Sequence, residues 1–580
     1  MSQKPEIDMV TMNIIDSTLV SICREMGLTM MKTSYSTIFN EGMDFTCGLG
    51  NTKGEMIGVA EFNPSQIGGM PLVLKTTAEE IPHDSIQEGD VIVTNDPYRG
   101  GMHTPEHSFI KPVFVAGVLY GYAVAIGHVA EVGGMVPGGF AGEATEIFHE
   151  GLRVPPIKIK KAGKDVDEVW KLMLANVRTP RANYGDYRAM ISAVDVGVAR
   201  LEAVIEKYGA EVFTRTVNDL MNYSEARMRA EIGEIKDGKY SFEDHMEDDG
   251  IEAKPYKIHV DVHVYGEEIV VDYNGTDDQA KGPINAVLSV AWSSAYNAIL
   301  HLTDPSIPKN SGCFRPIKIV APRGTLVNCD YPATCVGGNT ETHIRIAYTI
   351  IGALAECLPE RAFATDAGTH SNFLFGALDP RTDEYVVCYD FTCAAWGGRP
   401  FADGNEAVNC INGNSRMVPI EVFEVRYPWL IEEFKFEPDS AGPGRYRGAH
   451  SVSKTFRAID TEITVSSVSD RHAIRPWGLL GGGSGATGGL LYQPAEGGEW
   501  RPFTEAFDKI SPSKFSNVKI APGARVRLTA PGAGGYGPAA ERPAEMIAED
   551  LREGWITPDG ARRDYGYDDG CDGGYESGDK

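Results

Sequence analysis

Positive charge is scarce in this sequence of 580 residues. Lys and Arg together number 54 against 81 Asp and Glu, which gives a formal net charge of −27. A field of this sign repels phosphate backbones and anionic lipids, so it disfavours binding to nucleic acid or to a membrane surface. A small anionic ligand stays open, because a local Arg or a metal ion can override the global field.

Long apolar runs are absent as well. The longest, such as the stretch 344–358, fall short of the roughly 18 to 20 residues that a membrane-spanning helix needs. The first residues also lack the basic segment followed by an apolar run that marks a secretory signal. We therefore expect a cytoplasmic protein that has no membrane association.

Cysteine pairs of the CxxC type are missing. The ten cysteines are scattered, and several lie within apolar stretches. In a chain that shows no secretory signal, this pattern favours buried, reduced thiols over disulfides or a zinc–thiolate site.

Several familiar catalytic motifs are missing too. The sequence has no Walker-type G-x-x-x-x-G-K-[ST] cradle, no G-x-S-x-G elbow and no H-E-x-x-H pair. The glycine-dense segment 481–489 does not open a clear helix after a strand, so it does not predict a dinucleotide site. No segment of the sequence is therefore predicted to cradle a nucleotide.

What the sequence does contain is helical and strand-like periodicity in alternation. Residues 8–34 and 163–235 have apolar positions at helical spacing, the second with a break at Tyr208 and Gly209, whereas 44–60 and 239–276 read as hairpins and strands. A chain of this length is too long for one compact core, so we predict a mixed α+β, multidomain fold. The predicted divisions are a strand-rich N-terminal α/β region with polar loops (1–160), a helical region (161–238), a mixed α/β region (239–414), a β-rich region (415–540), a C-terminal helix (541–563) and an acidic, Gly-rich tail (564–580) that is either disordered or docks in a complex.

The N-terminal region holds residues that are suited to binding a metal ion. Three pairs of acids or histidines, each pair spaced by three residues, occur there: Glu41 and Asp44, His103 and Glu106, and His128 and Glu131. Imidazole nitrogens together with carboxylate oxygens suit Zn, Mn or Fe(II) used as a Lewis acid. From the pattern alone, a metal site and a set of hydrogen-bonded loop histidines are equally good interpretations.

A series of sequence blocks in fixed order extends over nearly the whole chain. Among them are NEGMDFTCGLGNTKGEMI, GDVIVTNDPYRGGMHTPEHSFIKPVF, ATEIFHEGLRVPPIKI, VGGNTETHIRI, RPWGLLGGGSG and ERPAEMIAEDLREGWIT. Together they resemble the B-type chain of the hydantoinase/5-oxoprolinase family, which includes the corresponding subunits of caprolactamase and of acetone and acetophenone carboxylase. The resemblance implies a hetero-oligomer in which an actin-like ATPase of the A type binds Mg-ATP. The missing Walker motif agrees with ATP binding by another chain.

The resemblance also implies a divalent metal ion, Zn, Mn or Fe, beside the activated substrate. The family's ligand positions fall on Asp44, His103, Glu106 and His128 of this sequence. Three positions depart from the family pattern: Glu106 stands where Asp is usual, Gln66 where the hydrolases commonly have His, and Arg399 where a Gly-rich run is usual. These departures leave the fold untouched and bear on the metal and the substrate.

Three functions follow as hypotheses. The first, which we favour, is opening of a cyclic amide (hydantoin, 5-oxoproline or a lactam) after ATP-dependent activation in the partner, because cyclic-amide enzymes form the larger part of the family. The second is ATP-dependent carboxylation of a ketone with bicarbonate. The presence of an additional small zinc-binding subunit in the complex would support this hypothesis. The third is a non-catalytic scaffold for the ATPase.

Several polar residues are candidates for catalysis or for ligand binding. Glu41 or Glu131 is the candidate general base. Arg153 is the candidate contact for an anion such as bicarbonate or phosphate, although a structural salt bridge is the more common use of such an Arg. Glu150 is an additional candidate for metal contact.

Other polar residues near these motifs are harder to assign. Asn95 and Asp96 either orient His103 or form the turn that ends a strand. Four further residues in polar segments receive no function from the sequence: His343, Arg345, His370 and His472.

Overall fold

The computed structural model describes residues 9–60, 62–392 and 395–568. Within these ranges the chain forms four β-sheets, with the helices packed on and between them. The predicted mixture of helices and sheets is confirmed. The divisions proposed from the sequence remain a prediction.

The first sheet has seven strands, each antiparallel to its neighbours, in the order β2-β1-β5-β4-β3-β6-β7. The strands are β1 (Phe45–Asn51), β2 (Met56–Ala60), β3 (Val91–Thr94), β4 (Glu106–Val115), β5 (Val118–His128), β6 (Ile157–Lys161) and β7 (Lys164–Asp165). Alternate residues of β5 enter two different cores, with Ala123 and Ala125 in one and Val124 and Ile126 in the other. Because both faces of the sheet are covered here, the end of β5 lies in the interior.

Six helices belong to this N-terminal half. They are α1 (Met9–Thr33), α2 (Thr37–Asn40), α3 (Met70–Glu80), α4 (Asp167–Ala175), α5 (Pro180–Tyr208) and α6 (Ala210–Gly233). The long helix α5 packs on α1 and on strands β4 and β5. The predicted break between α5 and α6 is confirmed, because Gly209 has a φ of 81°, which side chains of L-residues rarely adopt.

The second sheet has the order β11-β10-β9-β8, and three helices accompany it in the chain. Its elements are β8 (Gly238–Met246), β9 (Tyr256–Tyr265), β10 (Glu268–Asp272), α7 (Leu288–Leu302), α8 (Ser311–Phe314), β11 (Ile317–Val320) and α9 (Thr342–Leu354). Strand β9 alternates buried and half-buried residues, as its sequence predicts. Helix α9 packs on α7 and on β8 and β9. Asn339, in the segment just before α9, donates a hydrogen bond to Glu106 of the first sheet.

The remaining two sheets enclose an aromatic core that includes Phe373, Phe375, Trp429 and Phe456. The orders are β13-β12-β16-β19 and β14-β15-β20-β17-β18. Their elements are β12 (Phe373–Asp379), β13 (Glu384–Asp390), α10 (Ile420–Arg426), β14 (Trp429–Phe436), β15 (Val452–Ala458), β16 (Ile463–Val468), β17 (Gly489–Gln493), β18 (Arg501–Pro502), α11 (Phe503–Phe507), β19 (Lys514–Ile520) and β20 (Arg525–Thr529). Strand β13 brings aromatic residues back to the first sheet.

The prediction of one C-terminal helix over 541–563 is wrong. The structure has two short helices there, α12 (Ala544–Arg552) and α13 (Pro558–Tyr565). Gly554, at a φ of 76°, turns the chain after α12, and Thr557 caps α13 by accepting a hydrogen bond from the amide of Gly560. The predicted acidic tail lies outside the described residues from 569 onward.

Two expectations from composition can be compared with the structure. The eight cysteines within the described ranges form no disulfide, and seven of them are buried, as predicted. No helix of the described chain has the length and apolarity required to cross a membrane.

Candidate functional site

The site forms where β4 begins and β5 ends. Glu106 and His128, the first residue of β4 and the last of β5, are paired directly across these antiparallel strands. The loop that precedes β4 carries His103, and the segment that precedes β1 carries Asp44. All four residues predicted as metal ligands thus lie at this end of the sheet, and all four side chains are buried.

The loop that carries His103 begins with a tight turn. The side chain of Asp96 accepts a hydrogen bond from the amide of Tyr98, 3.0 Å away, and caps the turn Pro97–Arg99. Gly100 follows at a φ of 89°, and a Cβ added there would lie 2.8 Å from the backbone of Leu72. Only glycine fits this close approach, which explains one of the glycines in the motif.

The two imidazoles are neutral and each keeps one nitrogen free. Nδ1 of His103 lies 3.0 Å from the carbonyl oxygen of Val336 and donates to it, so Nε2 carries the lone pair. Nε2 of His103 and Nε2 of His128 are both buried without a hydrogen-bond partner, and the two ring centroids are 5.0 Å apart. Burial lowers the pKa of His103 to about 4 and the pKa of His128 well below its usual value. Neutral imidazole is the form that binds metal ions.

Two buried carboxylic acids accompany the imidazoles. Oε1 of Glu106 lies 3.8 Å from Nε2 of His103, and Oδ2 of Asp44 lies 3.8 Å from Nδ1 of His128. Burial raises the pKa of Asp44 to about 6, and burial together with the neighbouring Asp44 raises the pKa of Glu106 to about 8. Asp44 faces the nitrogen of His128 opposite the unpaired Nε2, a position from which it can ligate a metal ion or orient the ring.

Three carboxamides hold these acids in place. Asn63 donates to Oδ1 of Asp44, while Gln66 and Asn339 donate to Oε1 of Glu106 at 2.8 and 3.2 Å. The sequence marked Gln66 only as a departure from the family pattern and gave no function to Asn339. The Gly-Gly-Asn segment of the VGGNTETHIRI block was the available signal for Asn339.

The donor set fits a divalent cation in its chemistry. Two unpaired imidazole nitrogens beside two carboxylic acids are the mixed nitrogen and oxygen ligands that Zn, Mn and Fe(II) accept. Within the described ranges, however, no group of three or more His, Cys, Asp or Glu side chains is already gathered closely enough to hold an ion. The fit therefore depends on the types of donor and on the unpaired nitrogens, and the metal ion stays a prediction.

Aromatic side chains form one wall of the site. The ring of His128 stacks on Tyr389 at 4.5 Å and 7° and on Phe140 at 5.5 Å and 20°. The hydroxyl of Tyr389 donates to Asn372, whose amide donates to Oε1 of Glu341 at 2.8 Å. The sequence did not indicate this wall, because Tyr389 comes from β13, more than 250 residues after His128.

The candidates nearest to the metal loop have structural contacts. The carboxylate of Glu150 accepts hydrogen bonds from Thr104, Thr334 and the amides of Cys335 and Val336. These bonds tie the His103 loop to the segment that holds Nδ1 of His103, and they leave Glu150 little capacity for a metal ion. Its metal contact stays a prediction that the geometry does not favour.

Asn95 supports the same loop from the other side. Its amide donates to the carbonyl oxygens of Thr104 and Leu152 at 2.7 and 2.9 Å, and its oxygen accepts from the amide of Val154. It therefore positions the loop that carries His103 through backbone contacts, whereas Asp96 forms the turn described above.

The two candidate bases do not contact the four clustered residues through any hydrogen bond or ion pair found among the described residues. The carboxylate of Glu131 accepts from the amides of Gly133 and Gly138 and lies 3.1 Å from Arg178. Glu41 is half-buried at the end of α2, where its amide donates to the carbonyl of Thr37. The base function of each stays a prediction, and the contacts of Glu131 favour a structural use.

Arg153 contacts one acid and two aromatic rings. Its Nε lies 3.5 Å from Asp96, and its guanidinium carbon lies 4.8 Å from the ring centroid of Tyr331 and 5.7 Å from that of Phe148. Its anion-binding function stays a prediction, and the observed contacts are those of the structural alternative.

The four unassigned residues lie in three places. His343 and His370 face each other at 5.6 Å, and Nε2 of His370 lies 3.2 Å from Sγ of Cys410. Arg345 belongs instead to a buried ion network through Asp470, 2.8 Å away. Nδ1 of His472 lies 3.1 Å from the carbonyl oxygen of Pro512 and donates to it.

Comparison with known proteins finds relatives that match nearly the whole chain. A family model described as Hydantoinase B/oxoprolinase matches residues 8–539. A Pseudomonas sp. (strain NS671) protein, described as the putative B subunit of a D-/L-hydantoinase, is 32% identical over 577 residues, which cover 97% of this chain and 95% of its own. The beta subunit of caprolactamase from Pseudomonas jessenii is 31% identical over 568 residues, which cover 97% of this chain and 96% of its own.

Solved structures agree with the sequence comparison. The crystal structure of the ATP-dependent caprolactamase from Pseudomonas jessenii aligns with a TM-score of 0.89 and 28% identity over 98% of both chains. A nucleotide-free structure of acetone carboxylase aligns with a TM-score of 0.87 over 96% of this chain and 79% of its own. At 18% identity, the second likeness is one of fold alone.

Proposed function

Because the chain belongs to the hydantoinase B/oxoprolinase family, we propose that it is the metal-binding, catalytic B-type subunit of a complex that opens a cyclic amide after ATP-dependent activation in a partner chain. One observation carries the proposal. Two buried, neutral imidazoles, His103 and His128, present unpaired Nε2 atoms. Glu106 lies 3.8 Å from Nε2 of His103, and Asp44 lies 3.8 Å from Nδ1 of His128. A buried imidazole nitrogen without a hydrogen-bond partner calls for an explanation, and a bound ligand is one.

The relatives favour a cyclic amide over a ketone. The relatives named for hydantoinase and caprolactamase match nearly the whole chain at 32% and 31% identity. Acetone carboxylase shares the fold at 18% identity. Both of the closer relatives are named as one subunit of a larger enzyme, which supports a partner chain. We propose that this partner is an actin-like ATPase that binds Mg-ATP.

The chain's own residues orient His103 and exclude water from one side of His128. Val336 and Glu150 hold the ring and the loop of His103, so its Nε2 is presented in one orientation. Tyr389 and Phe140 cover His128 and exclude water from that side. A divalent cation held by His103, Glu106, His128 and Asp44 would act as a Lewis acid toward an oxygen that gains negative charge during ring opening.

The test uses the complex purified with its native partner. ATP turnover and product would be measured with hydantoin, 5-oxoproline, caprolactam, acetone and acetophenone, each with and without labelled bicarbonate. Bound metal would be counted in the wild-type complex, in His103→Ala and in the exposed control His83→Ala. We expect a ring-opened product without label, and loss of metal and of turnover in His103→Ala only.

Two outcomes would overturn the proposal in different ways. Label retained in a carboxylated ketone would identify a bicarbonate-dependent carboxylase. Unchanged metal content and turnover in His103→Ala would leave the chain as a scaffold for the ATPase.

A further inference from the structure

The three carboxamides of the site differ in one respect. Asn63, Gln66 and Asn339 all turn their NH2 groups toward a buried acid. The oxygen of Asn63 is then satisfied, because it accepts from the amide and the hydroxyl of Ser65 at 3.3 and 2.9 Å. Oε1 of Gln66 and Oδ1 of Asn339 are buried without any donor.

The orientation of these two carboxamides follows from Oε1 of Glu106 being the acceptor of both. Both nitrogens lie within hydrogen-bond distance of the same oxygen, Oε1 of Glu106. Rotating either amide by half a turn would place its oxygen against an acceptor and lose a hydrogen bond to the acid. Each carboxamide therefore has to present its oxygen elsewhere, and a buried carbonyl oxygen without a donor is unfavourable unless a ligand supplies one.

A fourth carboxamide, that of Asn412, lies next to the segment that carries Gln66 and is unpaired at both ends. Asn412 is buried, its carbonyl oxygen accepts from the amide of Ser65 at 2.7 Å, and its side-chain nitrogen and oxygen both lack partners. The backbone of Ser65 thus places a free donor and a free acceptor beside the chain segment that carries Gln66. An amide edge, with N–H next to C=O, is the group that complements such a set.

We propose that Gln66 and Asn339 are specificity-determining residues whose side-chain oxygens accept hydrogen bonds from ring N–H groups of the substrate. The inference rests on the proposed function and narrows it to rings whose nitrogen is unsubstituted. It also separates amides from ketones, because a ketone has no N–H to offer these oxygens. A site built to pair a buried acceptor with a substrate N–H discriminates strongly against an analogue that lacks it.

The test compares each cyclic amide that the complex opens with its N-methyl derivative, such as hydantoin with 1-methylhydantoin and 3-methylhydantoin, or caprolactam with N-methylcaprolactam. For the wild-type complex we expect N-methylation to lower kcat/KM by about 10- to 100-fold. Gln66→Met and Asn339→Leu preserve side-chain size. In each variant we expect the ratio of kcat/KM for the N–H ring to kcat/KM for its N-methyl derivative to fall toward one, even though the activity toward both substrates decreases.

Asn63→Leu is the matched control. It also removes a carboxamide from a buried acid, but the oxygen that it removes was already paired. For Asn63→Leu we expect lower activity toward both substrates, but the same ratio of kcat/KM between the N–H ring and its N-methyl derivative as in the wild type. Metal content is counted in every variant, so a loss of metal is separated from a loss of discrimination.

The outcomes distinguish this inference from the proposed function. Equal opening of N–H and N-methyl rings by the wild type would overturn the inference and leave the cyclic amidohydrolase standing. Discrimination that persists in both Gln66→Met and Asn339→Leu would show steric exclusion of the methyl group and would also overturn it. Turnover of ketones alone would overturn both.

Discussion

Glu106 and His128 occupy directly paired positions on the antiparallel strands β4 and β5, and both are buried at the end of that pair. Directly opposed residues of an antiparallel pair have their Cβ atoms about 5 Å apart. The ladder therefore fixes an acid beside an imidazole without any loop between them. The remaining residues of the site are added to this pair by loops, and those loops are the parts most open to test.

Glu150→Ala should destabilise the protein and loosen the His103 loop. The change leaves the buried hydroxyls of Thr104 and Thr334 and the amides of Cys335 and Val336 without their acceptor. We expect the free energy of unfolding to fall by about 3 kcal/mol. Denaturant titration measures the effect, with the exposed neighbour Glu146→Ala as control. Equal stability of the two variants would contradict the structural account of Glu150.

Asp470→Asn should reveal a buried ion network at neutral pH. Asp470 lies 2.8 Å from Arg345 and 3.0 Å from Lys514, and all three side chains are buried. Removing the acid leaves two buried cations short of a partner, so we expect a loss of about 3–5 kcal/mol in the free energy of unfolding. Glu384→Gln, which breaks an exposed pair with Arg181, should cost less than about 1 kcal/mol. Denaturant titration of both variants makes the comparison.

The same network gives a pH dependence with a defined sign. Lys514 and Arg345 lower the pKa of Asp470 to about 2 against the desolvation that raises it, below the ordinary value of 3.8. The unfolded chain therefore binds the proton more tightly, and the contribution of Asp470 to stability is complete above about pH 4 and is lost as the pH falls to about 2. Stability curves over this range should be steeper for the wild type than for Asp470→Asn. Parallel curves would show that Asp470 does not titrate in that window.

Two substitutions of Tyr389 should separate the contribution of ring stacking to stability from that of hydrogen bonding in the aromatic wall. Tyr389→Phe keeps the ring over His128 but removes the hydroxyl that donates to Asn372, so we expect a loss of about 1 kcal/mol in stability. Tyr389→Ala removes the ring as well and should cost about 3–5 kcal/mol. Tyr385→Phe, on the same strand but partly exposed, is the control. A Tyr389→Ala variant as stable as Tyr389→Phe would mean that the stacking contributes nothing.

Glu131→Gln should show whether Glu131 acts as a general base or only as a structural hydrogen-bond acceptor. If Glu131 only holds Arg178 and the amides of Gly133 and Gly138, stability should fall while kcat of the complex changes by less than about tenfold. Loss of a general base would instead lower kcat by about 100-fold or more at unchanged stability. Arg178→Ala, which removes the other half of the pair, should reproduce the stability loss in the structural case.

The sequence predicted the elements that depend on local periodicity. Helix α1, the hairpin of β1 and β2 and the break at Gly209 follow from apolar spacing and from glycine, which act within a few residues. The prediction of one C-terminal helix was wrong because Gly554 adopts a left-handed conformation and turns the chain. A single residue of this kind hardly changes the apolar spacing from which the helix was predicted. The ligand-like residues could be predicted because each pair lies close together in the sequence.

The structure alone decided which side chains surround those residues. Gln66, Asn339 and Tyr389 reach the site from distant parts of the sequence, and Glu150 is bound to residues nearly 190 positions away. No periodicity records such contacts, since they arise when separate elements pack together and each buried polar group has to find a partner. The sequence by itself thus determined the donor types and the strands that carry them. Tertiary packing determined which nitrogens and oxygens are left free to meet a ligand.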